Sequence, residues 1–265
     1  MDLIDSHAHV NFPQFDKDRP AVLRRAREAG LVGLVNIGTS AVTSQGSVTL
    51  AEQHDFVYAT VGIHPHDADS LTPAVLAGLR SLARNENVVA VGEIGLDYYR
   101  DYSPRAVQRQ AFADQLALAS ELRLPVVVHS RDSHEDVLTI LSDWKGTGVL
   151  HTYAAGLKHL EQVIEMGFFI GISGPVTYKR AGELRDVVRA APVERLLVET
   201  DCPYLAPTPH RGKRNEPAHV RLVAQAVARV RDESVEHIAR ETTKNARRLF
   251  GLGGSDRAHR ANGRE

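Results

Sequence analysis

The sequence predicts an α/β protein folded as a single-domain (β/α)8 TIM barrel, and three observations carry that expectation. Eight short runs rich in Val, Ile and Leu recur along the 265 residues. Longer stretches of helical periodicity separate them, and buried apolar strands alternating with helices are the pattern of βαβ units on a parallel sheet. The residues able to do chemistry stand at the C-terminal ends of the runs, where the active sites of such barrels gather. Eight units in roughly 250 residues also match the usual size of this fold. A doubly wound open sheet has the same alternation of elements; the gathering of polar residues at one end of the runs favours the barrel.

The first run, residues 3–6, leads into His7-Ala8-His9. Two histidines at i and i+2 on an extended segment share a face, so both imidazoles can reach one point. Imidazole is the commonest side-chain ligand of catalytic transition metals. The second run covers 31–37 and the third 57–63, which ends at His64-Pro65-His66. His64 is either a proton carrier or second-layer group beside a metal, or a structural hydrogen-bonding residue. The fourth run, 88–94, sets Glu93 among apolar residues between Gly92 and Gly95. Burying an unpaired carboxylate costs several kcal/mol, so Glu93 must meet a metal, a proton or a cation such as a barrel arginine.

Between the fourth and fifth runs, Val107, Ala111, Leu118 and Leu122 fall on one helical face. The fifth and sixth runs, 125–129 and 148–151, end in His129 and His151. Either alone reads as a hydrogen-bonded core histidine; on adjacent barrel strands the two aim at one mouth. The seventh run is 168–173. The eighth, 195–199, precedes Asp201, and alternation puts Glu199 and Asp201 on one face. Glu199 then either orients a ligand from behind or holds a barrel arginine. Two helices close the chain, on Val220, Val223, Val227 and Val230, then on Val235, Ile238, Thr242 and Leu249. One domain thus spans 1–252. The tail 253–265 has no hydrophobic anchor beyond two alanines and is expected to be disordered. His134, His159, His219 and His237 fall in helices and are expected at the surface. Cys202 reads as a small packing residue rather than a nucleophile.

A net charge of −1 excludes a polybasic nucleic-acid coat, though not a local basic patch. One cysteine rules out an intrachain disulfide and suits a reducing cytosol. The N-terminus lacks the basic and apolar stretches of a signal peptide, and no window approaches the apolar length of a membrane helix. A cytoplasmic protein with no membrane partner is expected.

Four histidines (His7, His9, His129, His151) with Glu93 and Asp201 exceed the three protein ligands of a catalytic zinc. They suit two ions roughly 3.5–4 Å apart that clamp the attacking and leaving oxygens of a hydrolysis, with Glu93 bridging through its two oxygens. Nitrogen and oxygen ligands without thiolate fit Zn²⁺, Mn²⁺ or Mg²⁺. Arg211, Lys213 and Arg214 lie in a loop after the last run, where barrels frequently bind phosphate, and they read either as phosphate ligands or as a solvated basic loop. Arg131 is a second candidate for phosphate. Tyr98 and Tyr99 either stack on a terminal base or pack at the rim.

Asp5-Ser6-His7-Ala8-His9, Gly62-Ile63-His64-Pro65-His66, Gly92-Glu93-Ile94-Gly95-Leu96-Asp97-Tyr98-Tyr99, Glu199-Thr200-Asp201-Cys202-Pro203-Tyr204-Leu205-Ala206-Pro207 and Arg211-Gly212-Lys213-Arg214-Asn215-Glu216-Pro217 resemble the TatD family of metal-dependent DNases. The resemblance runs from Met1 to about Leu252 with the motifs in order. It implies a TIM barrel of the amidohydrolase-like class and metal-dependent hydrolysis of DNA, often as a 3′→5′ exonuclease. It also implies ligand roles for His7, His9, Glu93, His129, His151 and Asp201. One segment departs: where the family usually reads His-Cys-Phe-Ser-Gly, this chain has His151-Thr152-Tyr153-Ala154-Ala155. The ligand is kept while the small polar residue and glycine are not, which puts the loop shape and substrate fit there at issue.

The resulting expectation is a monomeric DNase with one ion on His7, His9, Glu93 and Asp201 and another on Glu93, His129 and His151. Asp201 would also accept a proton. Two rivals are a metal-dependent amide or ester hydrolase, including one acting on aminoacyl esters of tRNA, and a non-catalytic nucleic-acid binding protein. Glutamate at 93, where cyclic-amide hydrolases often carry a carbamylated lysine, counts against the first. The intact ligand set counts against the second.

Overall fold

Each apolar run becomes a strand, because Val-, Ile- and Leu-rich segments of this length pack well when covered on both faces. In a computed structural model that describes residues 1–252, the strands are β1 (Leu3–Ala8), β2 (Leu31–Asn36), β3 (Val57–Val61), β4 (Val88–Asp97), β5 (Val126–Arg131), β6 (Gly148–Leu150), β7 (Phe169–Ile172) and β8 (Leu196–Val198). They pair in sequence order, every neighbour parallel. The tail 253–265 expected to be disordered lies outside the described residues.

The ring closes where β1 meets the segment after β8. Asp201 N–H donates to His7 O and His9 N–H to Cys202 O, each at 2.8 Å. Asp5, fully buried, reinforces this seam by accepting from Thr200 Oγ1 (2.6 Å) and Thr200 N–H (2.9 Å). Sequential order with a closing seam excludes the doubly wound sheet, whose strand order reverses part-way.

Alternation sorts the strand residues into two layers. One inward residue per strand (Ile4, Val35, Tyr58, Val89, Val127, Val149, Phe169 and Leu197) joins Leu249, Phe250 and Leu252 at the end of the last helix in one buried cluster. That helix therefore closes the N-terminal end and leaves the C-terminal mouth for chemistry. Outward residues such as Leu3, Leu34, Val126 and Ile170 pack beneath the helices, each fully buried aliphatic side chain contributing roughly 1.5–3 kcal/mol.

The helices are α1 (Arg19–Glu28), α2 (Ala41–Gln53), α3 (Pro73–Leu82), α4 (Arg105–Leu122), α5 (His134–Asp143), α6 (Gly156–Glu165), α7 (Gly182–Ala190), α8 (Val220–Arg231) and α9 (Val235–Phe250). Ser40 starts α2 through a reciprocal capping box with Thr43, an arrangement that contributes about 1 kcal/mol. Gly251, at φ +62°, ends α9 in the left-handed conformation glycine adopts without strain.

Two expectations need correction. On α4 the buried face includes Gln108 and Gln115, while Val107 is exposed. The two amides are buried because they satisfy strand-end backbone: Gln108 Oε1 accepts from Asp97 N–H (2.9 Å) and Gln115 Oε1 from Ile63 N–H (2.7 Å). The helical histidines are also less exposed than expected. His159 is buried and His134, His219 and His237 are half-buried; His134 Nδ1 meets Ser130 Oγ at 2.7 Å and His219 Nδ1 meets Asn215 Oδ1 at 2.9 Å.

Candidate metal centre

The six expected ligands converge at the C-terminal mouth. His7 lies in β1 with His9 just beyond it, Glu93 in β4, His129 in β5, His151 directly after β6 and Asp201 after β8. Around Glu93, β4 runs close against β5. A Cβ on Gly92 would lie 2.6 Å from Val127 Cβ, and one on Gly95 would lie 2.1 Å from His129 O. Only glycine fits at either point. Asp201 sits at φ +54°, a left-handed conformation that aspartate tolerates better than most residues.

The donor atoms form two sets that share one carboxylate. In the first, His7 Nε2 and His9 Nε2 are 3.1 Å apart. Asp201 Oδ1 lies 3.5 and 3.3 Å from these nitrogens, and Glu93 Oε2 lies 3.5 and 3.8 Å from them. In the second, Glu93 Oε1 lies 2.9 Å from His129 Nδ1, 2.8 Å from His151 Nε2 and 3.4 Å from His64 Nε2. His129 Nδ1 and His151 Nε2 are 3.1 Å apart. Ligands at about 2.0–2.1 Å on a tetrahedral ion are separated by about 3.3 Å, so these spacings fit cation coordination. Nδ1 of His7, His9 and His151 are buried with no hydrogen-bond partner among the described residues, while Nε2 of each ring faces the cluster. The groups His7/His9/Asp201, His7/Glu93/His151 and His64/Glu93/His129 each bring ligand atoms within 4.8 Å of one another.

Electrostatics follow from this crowding. Burial pushes His7 and His64 down to about 4, leaving neutral imidazoles with a free lone pair at pH 7. Burial also opposes charge on Glu93, but His151, His64 and His129 hold its carboxyl well below the usual range. Burial likewise opposes charge on His151, yet Glu93 beside it pushes it up to about 9. His129 is raised in the same way, against burial, by Asp97 and Glu93. A proton on His151 or His129 competes with a cation, so metal affinity should fall as pH drops below about 9. Calorimetric titration with Mn²⁺ at pH 7, repeated in buffers of different ionisation heat, should show release of about one proton or more per chain. Equal heats in all buffers would contradict this proton competition.

A family model described as TatD related DNase matches residues 4–251. The chain belongs to the TatD family. It is 42% identical to an uncharacterized metal-dependent hydrolase, YabD, of Bacillus subtilis, covering 94% of this chain and 98% of that one. It is also 42% identical to the 3′-5′ ssDNA/RNA exonuclease TatD of Erwinia amylovora, covering 94% and 100%. The crystal structure of the TatD homolog YjjV from Escherichia coli superposes with a TM-score of 0.90 at 33% identity, over 95% of this chain and 98% of that one. The protein is therefore a metal-dependent hydrolase acting on ester bonds.

Around the donors, this TatD-family site has a supporting layer that sequence reasoning only partly found. Asp97, on the same β4 face as Glu93, was not among the expected site residues. Its Oδ2 lies 3.1 Å from His129 Nε2 and 2.8 Å from His66 Nε2, while Oδ1 accepts from Tyr99 and Arg100 N–H. Such a carboxylate fixes the orientation of a ligand histidine. The period-two spacing Glu93, Gly95, Asp97 was the available signal. Glu199 meets no arginine among the described residues. It accepts from Ser6 Oγ (3.3 Å) and from Thr152 Oγ1 (3.1 Å) and N–H, and lies 3.8 Å from His151 Nδ1. Burial pushes its carboxyl up to about 7.

The basic loop divides. Arg214 donates to both carboxylate oxygens of Asp18 and to Gln14 O, each at 2.7 Å, and packs over Phe15. Its guanidinium fastens the loop to the start of α1. Arg211 and Lys213 are exposed, with Arg211 4.5 Å above the Tyr178 ring. Tyr98 packs, its hydroxyl donating to Asp136 (2.6 Å), whereas Tyr99 is exposed beneath Arg131 at 3.9 Å. Cys202 is fully buried, and burial pushes its thiol up, as suits a packing residue. No described helix is long and apolar enough to cross a membrane.

Proposed function

We propose that this hydrolase is a deoxyribonuclease that removes nucleotides from the 3′ end of DNA single strands or strand ends, using two divalent ions (Mg²⁺, Mn²⁺ or Zn²⁺). The observation that carries the reading is Glu93, which turns Oε2 to His7 and His9 and Oε1 to His129 and His151. His7, His9, Glu93 and Asp201 would hold one ion, and Glu93, His129 and His151 the other. Bound there, divalent ions would polarise the phosphodiester and make a water acidic enough to attack near neutral pH. Asp201 accepts the proton of that water, and Asp97 holds the His129 ring in place from its far nitrogen. Arg211 and Lys213 take phosphate oxygens as charged donors. Arg131 stacked on exposed Tyr99 offers a cation and a ring face to the strand. All six ligands come from one chain, so a monomer suffices.

The relatives named as ssDNA/RNA exonucleases support a nucleic-acid substrate over an amide, and so does a glutamate at 93. The test is degradation of 5′-labelled oligonucleotides by protein loaded with each ion in turn. A ladder shortening progressively from the 3′ end is expected. Immediate release of the labelled nucleotide, internal cuts, or no cleavage with any of the ions would overturn the reading.

A further inference from the structure

Between the loops after β6, β7 and β8 lies a cavity of about 640 Å³, within the roughly 300–1,000 Å³ of small-ligand sites. Buried Gly171 and Ser173 are among its lining residues, with half-buried Thr152 beside them. This floor adjoins Glu199: Thr152 donates to its carboxylate, Ser173 Oγ lies 3.1 Å from Thr152 Oγ1, and a Cβ on Gly171 would lie 2.3 Å from Glu199 Oε2. Glu199 lies 3.8 Å from His151 Nδ1, so the cavity begins directly behind the His151 side of the metal centre. Tyr178, Leu184 and Val187 supply its apolar walls, and the exposed cations Lys179, Arg180 and Arg211 stand at its rim, outnumbering the exposed carboxylate Glu183.

The polarity of this cavity suits one class of ligand. Cations confined to the exposed rim fit an anionic end held at the mouth. Apolar walls with two hydroxyls on the floor, Ser173 able to donate or accept and Thr152, whose hydrogen goes to Glu199, able to accept, fit a flat body with hydrogen-bonding edges inside. Arg211 stacked on Tyr178 presents a planar cation, a surface on which nucleobases also stack. We infer that the cavity receives one nucleotide unit of the strand, the one adjoining the scissile phosphate, with its nucleoside inside and its outer phosphate on Lys179, Arg180 and Arg211. The inference rests on the nuclease reading for the identity of the occupant. It also gives the departure at Thr152-Tyr153-Ala154-Ala155 a consequence, since three of these residues line the cavity and shape the fit of that nucleotide.

The test is a binding experiment that needs neither turnover nor metal. Isotope-labelled protein is titrated with deoxyadenosine 5′-monophosphate, ribose 5-phosphate and inorganic phosphate, and backbone amide shifts are followed. Deoxyadenosine monophosphate should shift Thr152, Gly171, Ser173 and Lys179, and should bind more tightly than either of the other two probes. Leu184→Trp, which fills the cavity, should weaken its binding at least about tenfold. The exposed pair Lys179→Ala with Arg180→Ala should weaken it too without lowering the melting temperature. Shifts located elsewhere, equal binding of ribose 5-phosphate, or binding unchanged in both variants would overturn the inference. Failure of the oligonucleotide ladder would count against the nuclease reading and would leave this binding result to be judged separately.

Discussion

Glu93→Gln should reduce hydrolysis by about 10³-fold or more in kcat/KM, on the order of 4 kcal/mol of transition-state stabilisation. It should cost more than the loss of any single histidine. The reason is the double duty of one carboxylate: Oε2 faces His7 and His9, which also meet Asp201, and Oε1 faces His129 and His151. Glutamine keeps the shape but turns an amide N–H₂ toward one of the two sets, where a donor meets donors or a cation. The backbone link that positions the residue, Glu93 N–H to Gly38 O at 2.7 Å, is untouched, so the fold should survive. His151→Ala, by contrast, removes a ligand from the second set alone. Steady-state kinetics with elemental analysis of each variant reads both effects. Near-normal hydrolysis by Glu93→Gln would show that the carboxylate does not bridge.

Asp201→Asn should lower kcat by at least about 10²-fold, the low end of a general-base contribution, with metal content only partly reduced. Asparagine also tolerates the left-handed backbone at this position (φ +54°), so the change isolates charge and basicity from geometry. It keeps a carbonyl oxygen as ligand and loses the proton acceptor. Substrate binding should persist, because Arg211 and Lys213, further along the same segment after β8, keep their charges. Full recovery of activity on adding excess metal would show that Asp201 is a ligand and nothing more. The proton would then leave by another group, and His64, with Nε2 3.4 Å from Glu93 Oε1, is the next to replace.

Much of this site was legible because barrel geometry converts a one-dimensional pattern into a place. An apolar run ending in His, Glu or Asp puts that side chain at the mouth, and His7, His9, Glu93, His129, His151 and Asp201 all obey the rule. Closeness across strands was not legible. Asp97 lies on the expected face of β4, yet its pairing with His129 depends on β4 running two turns of the pleat past Glu93 beside β5. Gln108 and Gln115 defeat a hydrophobic count, since their burial is set by backbone groups on other elements. Arg214 shows the same limit on the surface. Its position after β8 suggests phosphate, while its actual partner, Asp18, is far away in sequence. Glu199 was open between two partners, and the hydroxyls of Ser6 and Thr152 that hold it come from β1 and the loop after β6.

The number of ions bound per chain bears most directly on the bridged two-ion centre. Metal-stripped protein titrated with Mn²⁺ or Zn²⁺, then freed of excess and subjected to elemental analysis, should approach two ions per chain. Glu93→Gln should bind fewer. A reproducible stoichiometry of one, with His7, His9, Glu93, His129, His151 and Asp201 all intact, would contradict a centre built around a bridging Glu93.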